Sequence, residues 1–194
     1  IVSVGRQPLQ VFSHLKGYSK GIGDFDLAVE DESGKAYIYF EYDHNGIAAM
    51  ELSEDYTDVK GEASLMYVGL KPPFTREGVT LFTRNRLHYL LTSGMIGYIP
   101  NPSEIAVFRE WKGPLTIQGN PHRNDKSGAS FNSQISAVFK HPKKKDLYIA
   151  LADRWLPDFL LTKEKSEWLE RVVASNFDKR YKSTVGLYLC QPGF

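Results

Sequence analysis

Three stretches of the chain share one alternation of apolar and polar positions. The first runs Gly23-Asp24-Phe25-Asp26-Leu27-Ala28-Val29, crosses the polar Glu30 to Lys35, and resumes as Ala36-Tyr37-Ile38-Tyr39-Phe40. The second runs Arg76-Glu77-Gly78-Val79-Thr80-Leu81-Phe82, turns through Thr83 to Arg86, and resumes as Leu87-His88-Tyr89-Leu90-Leu91. The third runs from Asn132 to Phe139, turns through Lys140 to Asp146, and resumes as Leu147-Tyr148-Ile149-Ala150-Leu151. An apolar strand, a polar turn and a strand rich in aromatic and branched residues predict a β-hairpin in each case.

The hairpins recur at a nearly constant interval. Asp24 and Glu77 lie 53 residues apart, and Glu77 and Gln134 lie 57 apart. A period near 50 with several strands per unit predicts the blades of a β-propeller, with a sandwich of irregular hairpins as the other all-β arrangement. Gly46 to Leu52 and Glu104 to Phe108 are further candidate strands, each expected as an outer strand of its blade. Three blades cannot close a ring. Ile1-Val2-Ser3-Val4 reads as a strand already in progress, so roughly two repeat periods, on the order of 100 residues, are expected upstream.

The pattern changes near the C-terminus. Trp168, Leu169, Val172 and Val173 recur at helical spacing between Lys163 and Ser175, which predicts an amphipathic helix with Trp168 as a packing residue. Val185 to Leu189 reads as a last strand. With no low-complexity linker, residues 1–194 are expected to form a single domain, part of a larger all-β one.

Composition narrows the classes of partner. The chain has 24 Lys and Arg against 23 Asp and Glu, which gives no electrostatic drive toward nucleic acid or an anionic membrane. The run Lys143-Lys144-Lys145 lies in a turn-like stretch and is expected to be a solvated hairpin tip. No apolar stretch approaches the roughly 18 residues of a membrane helix. Cys190 is the single cysteine, so no internal disulfide holds the fold, and the compartment stays open. His14, His44, His88, His122 and His141 show no paired metal-ligand spacing. Neither a phosphate loop, nor a dinucleotide fingerprint, nor a Gly-x-Ser-x-Gly elbow occurs, so the residues predict no cofactor. The chain is 13% aromatic, which suits strands and also suits sites that stack sugar rings.

Candidate chemistry gathers where the hairpins begin. Asp24, Glu77 and Gln134 head equivalent strands, and in a propeller the first strand of each blade lines the axis. Converging polar side chains are costly if buried without partners, and a ligand pocket on the axis accounts for them. Glycoside hydrolysis needs a protonated carboxyl to serve the leaving oxygen and a second group to activate water. A neighbouring carboxylate raises the pKa of the donor, and Asp24 beside Glu77 would do this. The plainer alternative is that Asp24 and Asp26 cap a turn while Glu77 pairs with Arg76 or Arg84. Asp153-Arg154-Trp155 ends a strand, where the guanidinium and indole either face a sugar or form a structural pair with a core ring.

These segments resemble glycoside hydrolase family 43. Gly23 to Tyr37 looks like the family segment in which an Asp before an acidic, Gly-ended turn tunes and orients the general acid, which maps to Asp24. Arg76-Glu77-Gly78 followed by Phe82-Thr83-Arg84-Asn85 resembles the segment that bears the general acid, which maps to Glu77. Thr92-Ser93-Gly94-Met95-Ile96-Gly97-Tyr98-Ile99-Pro100-Asn101, Phe131-Asn132-Ser133-Gln134 and Ala152-Asp153-Arg154-Trp155 look like the branch that contains exo-β-1,3-galactanases. There a Gln at the Gln134 place is proposed to replace the usual base of an inverting reaction.

The resemblance spans about residues 18 to 158. It implies a five-bladed propeller acting on glycosidic bonds in galactan-, arabinan- or xylan-type polysaccharides or their side chains, so the expected partner is an oligosaccharide or polysaccharide. Glu77 would be the acid, Asp24 its modulator and Gln134 the water-positioning group, with Tyr98, Asp153, Arg154 and Trp155 around the sugar. Some family members hold a calcium ion on the axis, so the resemblance leaves that ion open.

Three departures stand out. Gly78-Val79 replaces the family's usual Ala-Pro, Tyr98 stands where Trp is common, and Ser33 adds a residue to the acidic turn. The first blade, where the family carries another carboxylate, is not in this sequence, which makes the site incomplete as given. A non-catalytic or degenerate sugar-binding propeller is therefore the alternative, and a propeller used as a protein-interaction platform is a third reading.

Overall fold

A computed structural model describes residues 22–30, 32–42, 44, 46–67, 74–97 and 99–155 of the chain. The three expected hairpins are present. β1 (Phe25–Val29) pairs with β2 (Ala36–Tyr42), β5 (Arg76–Arg84) with β6 (Leu87–Gly94), and β9 (Ser133–Lys140) with β10 (Tyr148–Arg154), all antiparallel. β3 (Gly46–Leu52) and β4 (Val59–Tyr67) extend the first sheet, while β7 (Ser103–Phe108) and β8 (Thr116–Gly119) extend the second. The result is two four-stranded meanders, β1-β2-β3-β4 and β5-β6-β7-β8, followed by the two-stranded β9-β10. Consecutive four-stranded meanders are the repeating unit of a propeller.

One expectation changes. The candidate outer strands 46–52 and 104–108 are third strands, and β4 and β8 form the outer edges. β4 carries Lys60, Gly61 and Glu62 on an exposed, irregular edge, so it lacks the clean alternation of a half-buried strand. β8 is only four residues long.

Local chemistry fixes the turns. Asn85 and Arg86 both have positive φ (52° and 61°), the requirement of a two-residue turn whose twist matches its flanking strands. The third hairpin closes with the His141 N–H donating to Leu147 O, 2.8 Å. At its tip Lys143, Lys144 and Lys145 are exposed, as a solvated turn would have them.

The core lies between sheets. Tyr37, Tyr39, Ile47 and Ala49 of the first sheet pack with Val79, Leu81, Leu90, Ala106 and Phe108 of the second. On the opposite face of the second sheet, Phe82, Tyr89, Leu91 and Ile105 pack with Ile135, Val138, Tyr148 and Ala150 of the third. β2 and β5 are buried on both faces, which suits their aromatic and branched composition. β5 touches β1 on one side and β9 on the other, so the three first strands lie side by side. Among the described residues no helix is long and apolar enough to cross a membrane. The expected C-terminal helix, the strands at 1–4 and 185–189, and Tyr98 lie outside the described residues.

Candidate active site

Asp24, just ahead of β1, reaches the second sheet: its Oδ2 accepts from the Gly78 N–H at 2.8 Å. Asp26, two residues on and therefore on the same face, accepts from the Leu81 N–H at 2.7 Å and the Thr80 hydroxyl at 3.0 Å. Both aspartates thus bind the next sheet rather than simply capping their own turn. Each carboxylate–amide contact is charge-assisted, the stronger class of hydrogen bond.

A bulge shapes the strand that receives them. Glu77 pairs with Ser93, but Thr80 pairs with Leu91, so β5 holds one extra residue at Gly78-Val79. Gly78 has φ +60, the left-handed glycine that opens one class of β-bulge. The extra residue re-aims Glu77 relative to Val79 and Leu81, which pack between the first two sheets. The Gly-Val pair that departs from the family's Ala-Pro is therefore the feature that directs Glu77.

Glu77 does not pair with Arg84, which sits 3.9 Å from Asp146 instead. Nor does Arg76 turn its charge outward: it is fully buried, its Nη2 donating to Pro102 O at 3.1 Å and Thr92 O at 3.4 Å. The partner of Glu77 is Gln134 at the head of β9, whose Nε2 donates to Glu77 Oε1 at 3.3 Å. Ser130, Phe131 and Asn132, immediately before β9, all have positive φ (61°, 56° and 55°). Ser130 anchors this turn, donating to Asn101 O at 2.9 Å and accepting from the Ser103 N–H at 2.8 Å.

The Glu77 carboxyl is pushed up to about 7. Burial is the largest cause and the Asp24 charge the second, with Glu41 adding to them, while Gln134 and Arg76 work in the opposite direction. A carboxyl in this state still carries its proton near neutral pH and can give it away, which is the property of a general acid.

The three heads of the hairpins line one cleft of about 390 Å³, together with Gly23, Glu41, His44, Met95, Gly97 and Trp155. An adjoining recess of about 270 Å³ is lined by Asp24, Gly78, Gln134 and Asp153 among others. Asp153 pairs with Gln134 across β9 and β10. Successive side chains on a strand point to opposite faces, which brings Asp153 and Trp155 to the two hollows and leaves Arg154 exposed, lining neither. Arg154, expected to hold the sugar, lines neither of these two hollows. Glu41 and His44 were not expected; a lone acid in the apolar run Tyr39-Phe40-Glu41-Tyr42 is the signal that would have marked them. Among the described residues no group of three or more His, Cys, Asp or Glu side chains is gathered to hold a metal ion.

No sequence-family model and no curated protein sequence matches the chain. Solved structures do. A family 43 β-1,3-galactosidase is 28% identical, with a TM-score of 0.64 over 70% of this chain and 28% of its own. An exo-β-1,3-galactanase from Phanerochaete chrysosporium, solved with galactose, is 22% identical with a TM-score of 0.59, over 70% of this chain and 30% of its own. One from Clostridium thermocellum is 24% identical with a TM-score of 0.56, over 71% and 28%. The matched part of this chain therefore spans about a third or less of those proteins. In its repeated four-stranded sheets and over these residues, the chain is similar to a part of the fold of family 43 glycoside hydrolases.

Proposed function

We propose that this chain is part of the five-bladed catalytic propeller of a glycosidase that removes galactose units from β-1,3-linked galactan or its side chains, with inversion. One observation carries the reading: Glu77 is half-buried between Asp24 and Gln134 in a cleft, and its carboxyl is pushed up to about 7. Glu77 would protonate the leaving oxygen, and Asp24 would keep it protonated through its charge and aimed through the Gly78 amide. With Gln134 Nε2 directed at Glu77, its Oε1 would help to position the attacking water, whose proton would pass to the further carboxylate that the resemblance implies. Trp155 and Asp153 would bear on the sugar.

Exposed apolar side chains at both ends of the block support a larger ring. Phe25, Leu27 and Val29 on β1 and Phe139 and Leu151 on β9 and β10 offer surfaces of the kind that blades bury against their neighbours. The further carboxylate that the resemblance implies would come from such a neighbour.

The test is hydrolysis of β-1,3-galactotriose by the intact protein, with arabino- and xylo-oligosaccharides beside it and Glu77→Gln as control. Galactose release that the control loses by about a hundredfold or more, the scale of a proton donor, supports the assignment. Binding without release on any glycan would favour the non-catalytic propeller, and unchanged release by Glu77→Gln would remove Glu77 from the role.

A further inference from the structure

One wall of the Glu77 cleft has no part in the reading above. Glu41, near the end of β2, is 3% exposed yet lines the cleft with Asp24, Glu77 and Gln134. A carboxylate so deeply placed is costly unless donors hold it. His44 supplies two contacts: its backbone N–H donates to Glu41 Oε1, and its ring Nδ1 lies 3.3 Å from the same oxygen. To make them His44 adopts a left-handed backbone, φ 53°, a conformation uncommon outside glycine. The other oxygen, Oε2, packs against Gly23, where a Cβ would collide with it. The Glu41 N–H donates to Asp24 O at 2.8 Å, so the backbone joins it to the residue expected to tune the acid.

We propose that Glu41, held by His44, is a positioning residue of this site whose carboxylate acts on Glu77 across the cleft and helps to keep it a proton donor. The proposal rests on the hydrolase reading. Among the described residues, the charged groups that act on Glu77 are Asp24 ahead of β1, Glu41 on β2 and Arg76 on β5 itself, with His44 beside Glu41; Gln134 from β9 is neutral. Asp24 and Glu41 strengthen the hold of Glu77 on its proton, and Arg76 and Gln134 weaken it. A residue that merely capped the β2–β3 turn would have no reason to face this cleft.

The experiment is the pH profile of kcat/KM for β-1,3-galactotriose with the intact protein. A general acid must be protonated, so rate falls on the alkaline side as Glu77 ionises. Glu41→Gln keeps the acceptor and removes the charge. Its alkaline limb should fall by roughly half a pH unit, an about threefold loss of rate one unit above the wild-type limb. Gly23→Ala displaces the Glu41 carboxylate by contact without discharging it, and should also move the limb. An unmoved limb in both folded variants overturns the proposal, as does a uniform loss of rate at every pH.

If the wild type hydrolyses nothing, the hydrolase reading fails and the inference about Glu41 is decided separately. Carboxyl ¹³C NMR should then show Glu77 titrating at lower pH in Glu41→Gln. An unchanged titration overturns it.

Discussion

Gly78→Ala tests whether the bulge in β5 builds the site. Gly78 has φ +60, and a Cβ there would come 2.9 Å from both Cγ and Nε2 of Gln134. Two separate costs follow. The left-handed backbone costs an L-residue roughly 1–2 kcal/mol, a loss of stability. The Cβ must also push the Gln134 side chain away by several tenths of an ångström, and its amide holds Glu77 at 3.3 Å, close to the limit of a hydrogen bond. Misplacing a catalytic group by about 1 Å can cost about a hundredfold in rate. We expect kcat to fall roughly 10- to 100-fold while the Gly78 amide still donates to Asp24.

Gly78→Asn separates the two costs, because Asn tolerates the left-handed backbone better than other side-chain residues but brings the same Cβ. It should regain part of the stability in a urea titration and none of the kcat. The reasoning is refuted if Gly78→Ala hydrolyses β-1,3-galactotriose at the wild-type kcat, or if Gly78→Asn restores the rate.

Asp24→Asn keeps an acceptor for the Gly78 N–H but removes the largest charge acting to raise Glu77. The alkaline limb of kcat/KM should move down by about one pH unit; a limb that stays in place would separate Asp24 from the acid. Asp26→Ala removes the acceptor for both the Leu81 N–H and the Thr80 hydroxyl. Bonds to a charged group contribute about 1.5–3 kcal/mol each, so urea titration should show a loss of roughly 3 kcal/mol, and a loss below about 1 kcal/mol would mean that these bonds do not join the sheets.

The three hairpins were legible because their strands bury one or both faces and their turns carry residues suited to positive φ, such as Asn85 and Gly34. β4 and β8 were not, since an edge strand with one solvated side needs no apolar alternation. Spacing alone brought Asp24, Glu77 and Gln134 together, because equivalent positions of a repeat share one place around the axis. Asp153 and Trp155 come to the two hollows from the end of one strand, where alternation of faces sends Arg154 the other way. Gly78 looked like a departure from the family because a bulge is a property of pairing between two strands and cannot be seen in either alone. Glu41 stood as a lone acid in an apolar run, but which face it takes, and so its place in the cleft, depends on the strands on either side of β2.

The site is a product of how the sheets meet, more than of any one of them. Asp24 and Asp26 lie on the same face ahead of and within β1, and both take backbone amides of β5 on either side of its bulge, those of Gly78 and Leu81. The same two sheets share the layer of Tyr37, Tyr39, Val79 and Leu81. Any slip between them would therefore move the Asp24 carboxylate and the bulge beside Glu77 at once. Gln134 enters from the other side of β5, carried by a sheet that packs on Phe82 and Tyr89. Glu77 thus takes an amide contact from Gln134 on one flanking sheet and the charge of Asp24 from the other. That coupling explains why three polar side chains can be held together in a half-buried cleft: each is fixed by a backbone or amide contact to the neighbouring sheet, so little is left to rearrange when a ligand enters.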